Sequence, residues 1–148
     1  MKKRLSNNKG FSLVELIIVI AIMAVLIGVL APQYLKYVEK SRVSADLDTI
    51  DNLVKAAETC ASDPDTKIAD DFTITIQGGT AGATVGGTDT AAPTEVGNAI
   101  ALSSCNLKSK TYNGQTVVIS VAFTADPNNA NIKVPTVSVT DPTNNYER

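Results

Sequence analysis

The chain has 148 residues, 13 basic and 15 acidic, with 44% hydrophobic side chains, no histidine, no tryptophan and two cysteines. These numbers exclude Ser-His-Asp and Cys-His catalysis, histidine metal sites and a four-sulfur zinc site. A net charge of −2 gives no global reason to bind nucleic acid. The length suits one domain, yet the strong apolarity is gathered near the N-terminus.

Residues 1–10 carry Lys2, Lys3, Arg4 and Lys9 and no acid. Phe11 to Ala31 follow, 21 residues whose only polar side chains are Ser12 and Glu15. As an α-helix this run rises roughly 31 Å, the thickness of a bilayer's hydrocarbon core. The basic cluster predicts a cytoplasmic N-terminus and an external C-terminal body, although Lys36, Lys40 and Arg42 beyond the span reduce the bias. The run is longer than a cleaved signal peptide's apolar region, and Pro32 follows the one tempting cleavage site, Val29-Leu30-Ala31. The segment therefore reads as retained.

Glu15 sits about one turn inside this apolar helix. An unpaired carboxylate in hydrocarbon costs several kcal/mol, so it needs a partner, interfacial water or a neighbour such as Lys9. An intramembrane charge is by default a functional hypothesis.

Gly10-Phe11-Ser12-Leu13-Val14-Glu15-Leu16 resembles the processing motif of type IV pilins and related pseudopilins. The resemblance covers about residues 1–32, with Ser12 where threonine is common. It implies that a membrane prepilin peptidase cuts between Gly10 and Phe11 and methylates Phe11, and that Glu15 serves filament assembly. The implied assembly contact joins Glu15 to the new Phe11 ammonium of a neighbouring subunit. Low dielectric would strengthen that pair, and a wrong stagger would leave a charge unsatisfied. A glycine at the cut allows an extended, accessible backbone.

Pro32 ends the apolar run, removes one helical hydrogen bond and favours a kink. Periodicity resumes at once: Val43, Leu47, Ile50, Val54 and Ala57 form a one-sided stripe, with Glu39, Lys40, Asp46, Asp48, Asp51, Lys55 and Glu58 largely off it. The helix is expected to run from Phe11 to about Ala61, roughly 75 Å if continuous. It stops at Ser62-Asp63-Pro64-Asp65. In related pilins a proline at this place accompanies loss of regular helix on assembly. Gly28 weakens the helix just upstream, so Gly28–Pro32 is the stretch expected to extend in a fibre.

Beyond residue 62 the period changes. Phe72-Thr73-Ile74-Thr75-Ile76 alternates like a strand. Leu107–Tyr112 and Gln115–Thr124 flank Asn113-Gly114, a hairpin signal. Asn131–Thr140 reads as a further strand, with Pro135 suiting an edge. Asp126-Pro127-Asn128-Asn129 is the turn before it, and this motif and Asp141-Pro142-Thr143-Asn144-Asn145 look more like plain turns than calcium loops. In Gly78–Asn98, Gly, Thr and Ala supply 15 of 21 residues, which predicts a long surface loop. Cys60 and Cys105 lie outside the membrane under this topology. A bridge between them would close a loop of about 45 residues, worth roughly 4 kcal/mol in the chain-entropy model; two buried free thiols are the alternative.

The expected fold is α+β: a long N-terminal α-helix, half transmembrane and half amphipathic, packed on a small antiparallel β-sheet of three or four strands. The divisions are a cleaved basic leader, 1–10; a transmembrane and assembly helix, 11–31; an amphipathic helix of the head, 32–61; a connecting region with the Gly/Thr/Ala-rich loop, 62–106; and the sheet with the C-terminal tail, 107–148. No catalytic, cofactor-binding or metal residue is expected, and the acids Asp63, Asp65, Asp70 and Asp71 suggest solvation alone. Loss of the four leader cations would leave 9 basic against 15 acidic side chains, net −6, which argues against nucleic-acid capture by this subunit alone.

The resemblance implies a structural subunit that is stored in the bacterial inner membrane and polymerised into an extracellular type IV pilus. Its partners would be other copies of itself, the prepilin peptidase, an assembly ATPase and a membrane platform protein. The alternatives are a pseudopilin of type II secretion or DNA uptake and, further off, a single-pass membrane-anchored binding protein.

Overall fold

The structure is a computed structural model that describes residues 10–146, with the side chains of 130–132 left aside. The leader cations Lys2, Lys3, Arg4 and Lys9 lie outside the described residues. One helix, α1, runs Leu13–Ser62 and contains Pro32. The chain divides into two compact units, Met1–Val38 and Glu39–Arg148, and α1 contributes to both.

In the first unit the helix stands bare. An 18-residue window of α1 has mean hydropathy 3.1 and no buried residue, so the helix is long and apolar enough to cross a bilayer. From Leu13 to Leu30 every large aliphatic side chain is exposed, followed by Tyr34, Leu35 and Tyr37. In water such a surface would be strongly unfavourable at ~25 cal/mol per Å² of apolar area. It requires lipid or other protein around it.

In the second unit the helix turns one face to a four-stranded antiparallel sheet. The strands are β1 Phe72–Gln77, β2 Ala83–Gly87, β3 Thr116–Asp126 and β4 Asn129–Thr140. Their spatial order is β2-β1-β3-β4. Alternation along the strands does the sorting. Phe72, Ile74 and Ile76 of β1 and Val117, Ile119 and Val121 of β3 are buried, while Thr73, Thr75, Val118 and Ser120 between them are partly open to solvent. The inward side chains meet Ile50, Leu53, Val54, Ala57 and Cys60 of α1 in one core. The expected stripe thus does face the head, with Val43 and Leu47 only half-buried at its start. β4 is an edge strand, and its Pro135 pairs with Phe123 where β3 offers its only neighbour.

Two expectations fail between β1 and β3. Gly78–Asn98 is not a long loop. It contains β2, which forms a hairpin with β1, and the helix α2, Ala92–Ala99. Small residues mask both elements from a reading by apolar periodicity, yet Ala83, Ala92 and Val96 are buried in the core. The second failure is the hairpin at Asn113-Gly114. Gly114 does take the left-handed conformation at φ 75°, but Leu107–Tyr112 is not a strand. Its Leu107 and Tyr112 are buried as plugs from an irregular loop. At Asn113 the chain bridges to Gly78, where a Cβ would lie 1.8 Å from the Tyr112 carbonyl oxygen.

Candidate functional site

The motif residues occupy the start of α1. Phe11 is 95% exposed just before the helix. Ser12 is the N-cap: its carbonyl accepts the Leu16 N–H at 3.2 Å, and its own N–H donates to Glu15 Oε2 at 2.8 Å. This is half of a capping box, in which the carboxylate at the third helical position reaches back to the cap's N–H. The Ser-x-x-Glu spacing at 12–15 carries that signal in the sequence. Glu15 therefore has a partner within its own helix, at the positive end of the helix dipole. One such bond leaves acceptor capacity, since a carboxylate accepts about four. A cut between Gly10 and Phe11 would create an ammonium adjacent to the N–H that Glu15 already holds. Gly10 is exposed, and no atom lies within 4 Å of where a Cβ would stand.

Gly28 and Pro32 both lie within the helix. A Cβ at Gly28 would meet nothing, so packing within the chain does not demand glycine there.

The acids in the second unit behave differently. Asp46, expected off the buried stripe, is 2% exposed; Oδ1 accepts the Lys108 N–H and Oδ2 the Ser109 N–H, both at 2.8 Å. Two turns earlier, Glu39 Oε1 accepts the N–H groups of Lys110 at 2.6 Å and Thr111 at 3.2 Å. Two helix carboxylates thus hold four consecutive backbone donors that no strand partner serves, which explains why Leu107–Tyr112 needs no ladder. Asp89 does the same for α2. Its Oδ1 accepts from Ala91 and Ala92, and its Oδ2 from Ala69 and Asp70. Burial pushes the Asp89 carboxyl up, but these four donors outweigh it and hold it below the ordinary carboxylate range.

Asp141 gathers the tail. It accepts from Tyr112 Oη at 2.9 Å, from the Thr143 hydroxyl and N–H, and from the N–H groups of Asn145 and Tyr146. Burial raises its carboxyl and these donors lower it further, below the usual value. Burial, with Asp141 beside it, pushes the Tyr112 phenol up to about 12, so it remains a donor. The second Asp-Pro motif is therefore a turn whose Asp141 oxygens are taken by local backbone N–H groups, the Thr143 hydroxyl and the Tyr112 phenol. Among the described residues no three His, Cys, Asp or Glu side chains group around a metal-sized space.

Cys60 and Cys105 are both buried and both free, so the expected bridge is not formed in the structure. Cys60 Sγ lies 3.6 Å from the Glu95 carbonyl and Cys105 Sγ lies 3.7 Å from that of Ala101. Burial pushes both thiols up, Cys60 with help from Glu95 and Asp63, which disfavours the thiolate that disulfide chemistry needs.

Residues 5–31 match the model of the prokaryotic N-terminal methylation motif. The chain is similar to type IV major fimbrial protein FimA of Dichelobacter nodosus, 41% identical over 58 residues, which is 39% of this chain and 37% of that protein. It is also similar to a fimbrial protein of Pseudomonas aeruginosa, 38% identical over 52 residues, 35% of this chain and 34% of that one. The matched stretches span little more than a third of these relatives' length. No solved structure matches the chain significantly. The N-terminal segment thus carries the methylation motif of type IV pilins, joined to an apolar helix suited to membrane anchoring.

Proposed function

We propose that the chain is a non-enzymatic structural subunit of a type IV pilus. A prepilin peptidase removes residues 1–10 and methylates Phe11. The subunit waits in the inner membrane with its N-terminus cytoplasmic, then enters a fibre through α1. An assembly ATPase and a membrane platform protein drive that step. The observation that carries this reading is one carboxylate, Glu15, in the exposed and otherwise apolar first half of α1, within a methylation motif that spans residues 5–31.

The physical course follows from that surface. In the membrane, lipid covers the aliphatic side chains and Glu15 rests on the Ser12 N–H. In the fibre, neighbouring helices replace lipid, and the Phe11 ammonium of an adjacent subunit completes the Glu15 carboxylate. A charge so paired fixes the stagger between subunits, because any other register leaves it unsatisfied. Gly28–Pro32 extends during packing, where Pro32 already lacks one helical hydrogen bond.

Mass spectrometry of the sheared surface fraction tests this directly. The expected N-terminus is methylated Phe11 in abundant long fibres. An intact Met1 or Lys2 start would overturn the reading in favour of a membrane-anchored binding protein. Processed chain confined to short, scarce fibres would favour a pseudopilin.

A further inference from the structure

The chain has four tyrosines. Two lie in the second unit and are satisfied there: Tyr112 Oη donates to Asp141 Oδ2 at 2.9 Å, and Tyr146 Oη to Asp51 Oδ1 at 3.4 Å. The other two, Tyr34 and Tyr37, stand 68% and 71% exposed on α1, within the first unit. Among the described residues neither of these phenols has a hydrogen-bond partner. Residues 34–37 read Tyr-Leu-Lys-Tyr, and all four are exposed. At about 100° per residue they complete one turn around the helix. This turn carries one positive charge and no negative one.

Height along the helix picks out the partner. The apolar run from Phe11 to Ala31 rises roughly 31 Å and fills the hydrocarbon core of a bilayer. Tyr34 lies roughly 35 Å and Tyr37 roughly 39 Å along α1 from Phe11, at about 1.5 Å per residue. With its headgroups a bilayer is about 40–45 Å thick, so each headgroup layer adds roughly 5–7 Å beyond the core. Tyr34 therefore falls inside that layer and Tyr37 at its rim. Helical side chains lean toward the N-terminus, which brings both rings back toward lipid. A tyrosine ring is apolar along its body and polar at its tip, the combination that this layer collects. A lysine there lays its stem along apolar surface and keeps its ammonium among polar groups.

We propose that Tyr34, Lys36 and Tyr37 form a collar that binds the phospholipid headgroup layer where α1 leaves the membrane, and so fixes the depth of the stored subunit. The partner is the phospholipid bilayer itself. The phenols donate to ester carbonyls at the base of the headgroups, and Lys36 meets a lipid phosphate. The inference rests on the membrane-storage step of the pilus reading and specifies which groups set it. An apolar run alone can slide along the bilayer normal at small cost, because one aliphatic side chain replaces another in the same solvent. Amphipathic rings cannot slide so freely, since either direction leaves part of each ring in the wrong medium. Glu15, roughly 28 Å further down α1, is thereby held about one turn inside the opposite face.

The chain has no tryptophan, so a single introduced one is a unique reporter of depth. The test places the full-length variants Y34W, Y37W and I22W in phospholipid vesicles carrying a nitroxide either on the headgroup or at the acyl-chain end. The headgroup label is expected to quench Y34W and Y37W at least twofold more than the chain-end label does, and I22W is expected to show the reverse. In L30W, adding Y34A/K36A/Y37A is expected to change the ratio of the two quenching efficiencies at least twofold. If neither label quenches Y34W and Y37W while the chain-end label quenches I22W, the collar is overturned and membrane storage stands. Equal or stronger quenching of Y34W and Y37W by the chain-end label, or an unchanged ratio in L30W, overturns the collar in the same way. If neither label quenches I22W, membrane storage falls, and the collar with it.

Discussion

Glu15 and Asp46 are both helix carboxylates in α1, but their surroundings differ completely. Asp46 is buried, and each of its oxygens receives a backbone N–H from a loop 62 or 63 residues away. Glu15 is exposed on a bare apolar helix and receives one N–H from three residues before it. The first acid is used up in folding the head. The second retains acceptor capacity in a place where no solvent would supply donors once lipid surrounds it. A carboxylate satisfied by its own chain stabilises a fold, whereas one left partly satisfied in an apolar setting can still accept a donor from outside the chain.

The sharpest way to break this contrast is at Glu15. Glu15→Ala should abolish fibres, at least a hundredfold by electron microscopy of sheared material, while the chain still accumulates in the membrane. The head does not depend on that side chain. Glu15→Gln keeps an acceptor for the Ser12 N–H but loses the charge, and should fail nearly as badly. Fibres from the Gln variant would show that capping, not charge, is what assembly uses.

Asp46→Ala should do the reverse, lowering head stability by about 3 kcal/mol because two shielded N–H groups lose their acceptor. Chemical denaturation of the detergent-solubilised chain, followed through its tyrosines, would read this as a lower midpoint. An unchanged midpoint would mean that water reaches Lys108 and Ser109 and that the clamp is ornamental.

The smallest effect is in pH. Asp89 and Asp141 titrate below their unfolded values, so their contribution is present in full above the ordinary carboxylate range. It fades as pH falls through the lower folded-state values. Head stability should therefore be flat near neutrality and decline only below about pH 4. Asp89→Asn should flatten part of that acid limb. An acid limb of unchanged steepness would show that the four N–H bonds to Asp89 do not distinguish its charged form.

The legible parts of this molecule were those written in periodicity and local chemistry. The apolar run from Phe11, the 3–4 spacing of Val43 to Ala57 and the alternation of Phe72–Ile76 each repeat one physical demand often enough to be read. The Gly10–Leu16 motif adds specific residues at fixed spacing. What escaped was carried by single side chains acting across long separations. Asp46, Asp89 and Asp141 look like solvated acids in sequence, because nothing local reveals which backbone donors will need them. β2 and α2 were hidden by small residues whose apolar content is slight until the core closes around Ala83, Ala92 and Val96.

The sequence by itself determined that one helix would be too greasy to stand in water and that one acid in it would need a counterpart. Those demands follow from solvent transfer alone and hold in any fold. Only the tertiary structure decided that Leu107–Tyr112 would be a clamped loop rather than a strand, and that Gly78–Asn98 would pair β2 with β1 rather than form one long loop. Both outcomes depend on which groups packing brings within hydrogen-bonding distance, and a linear order of residues does not state distances.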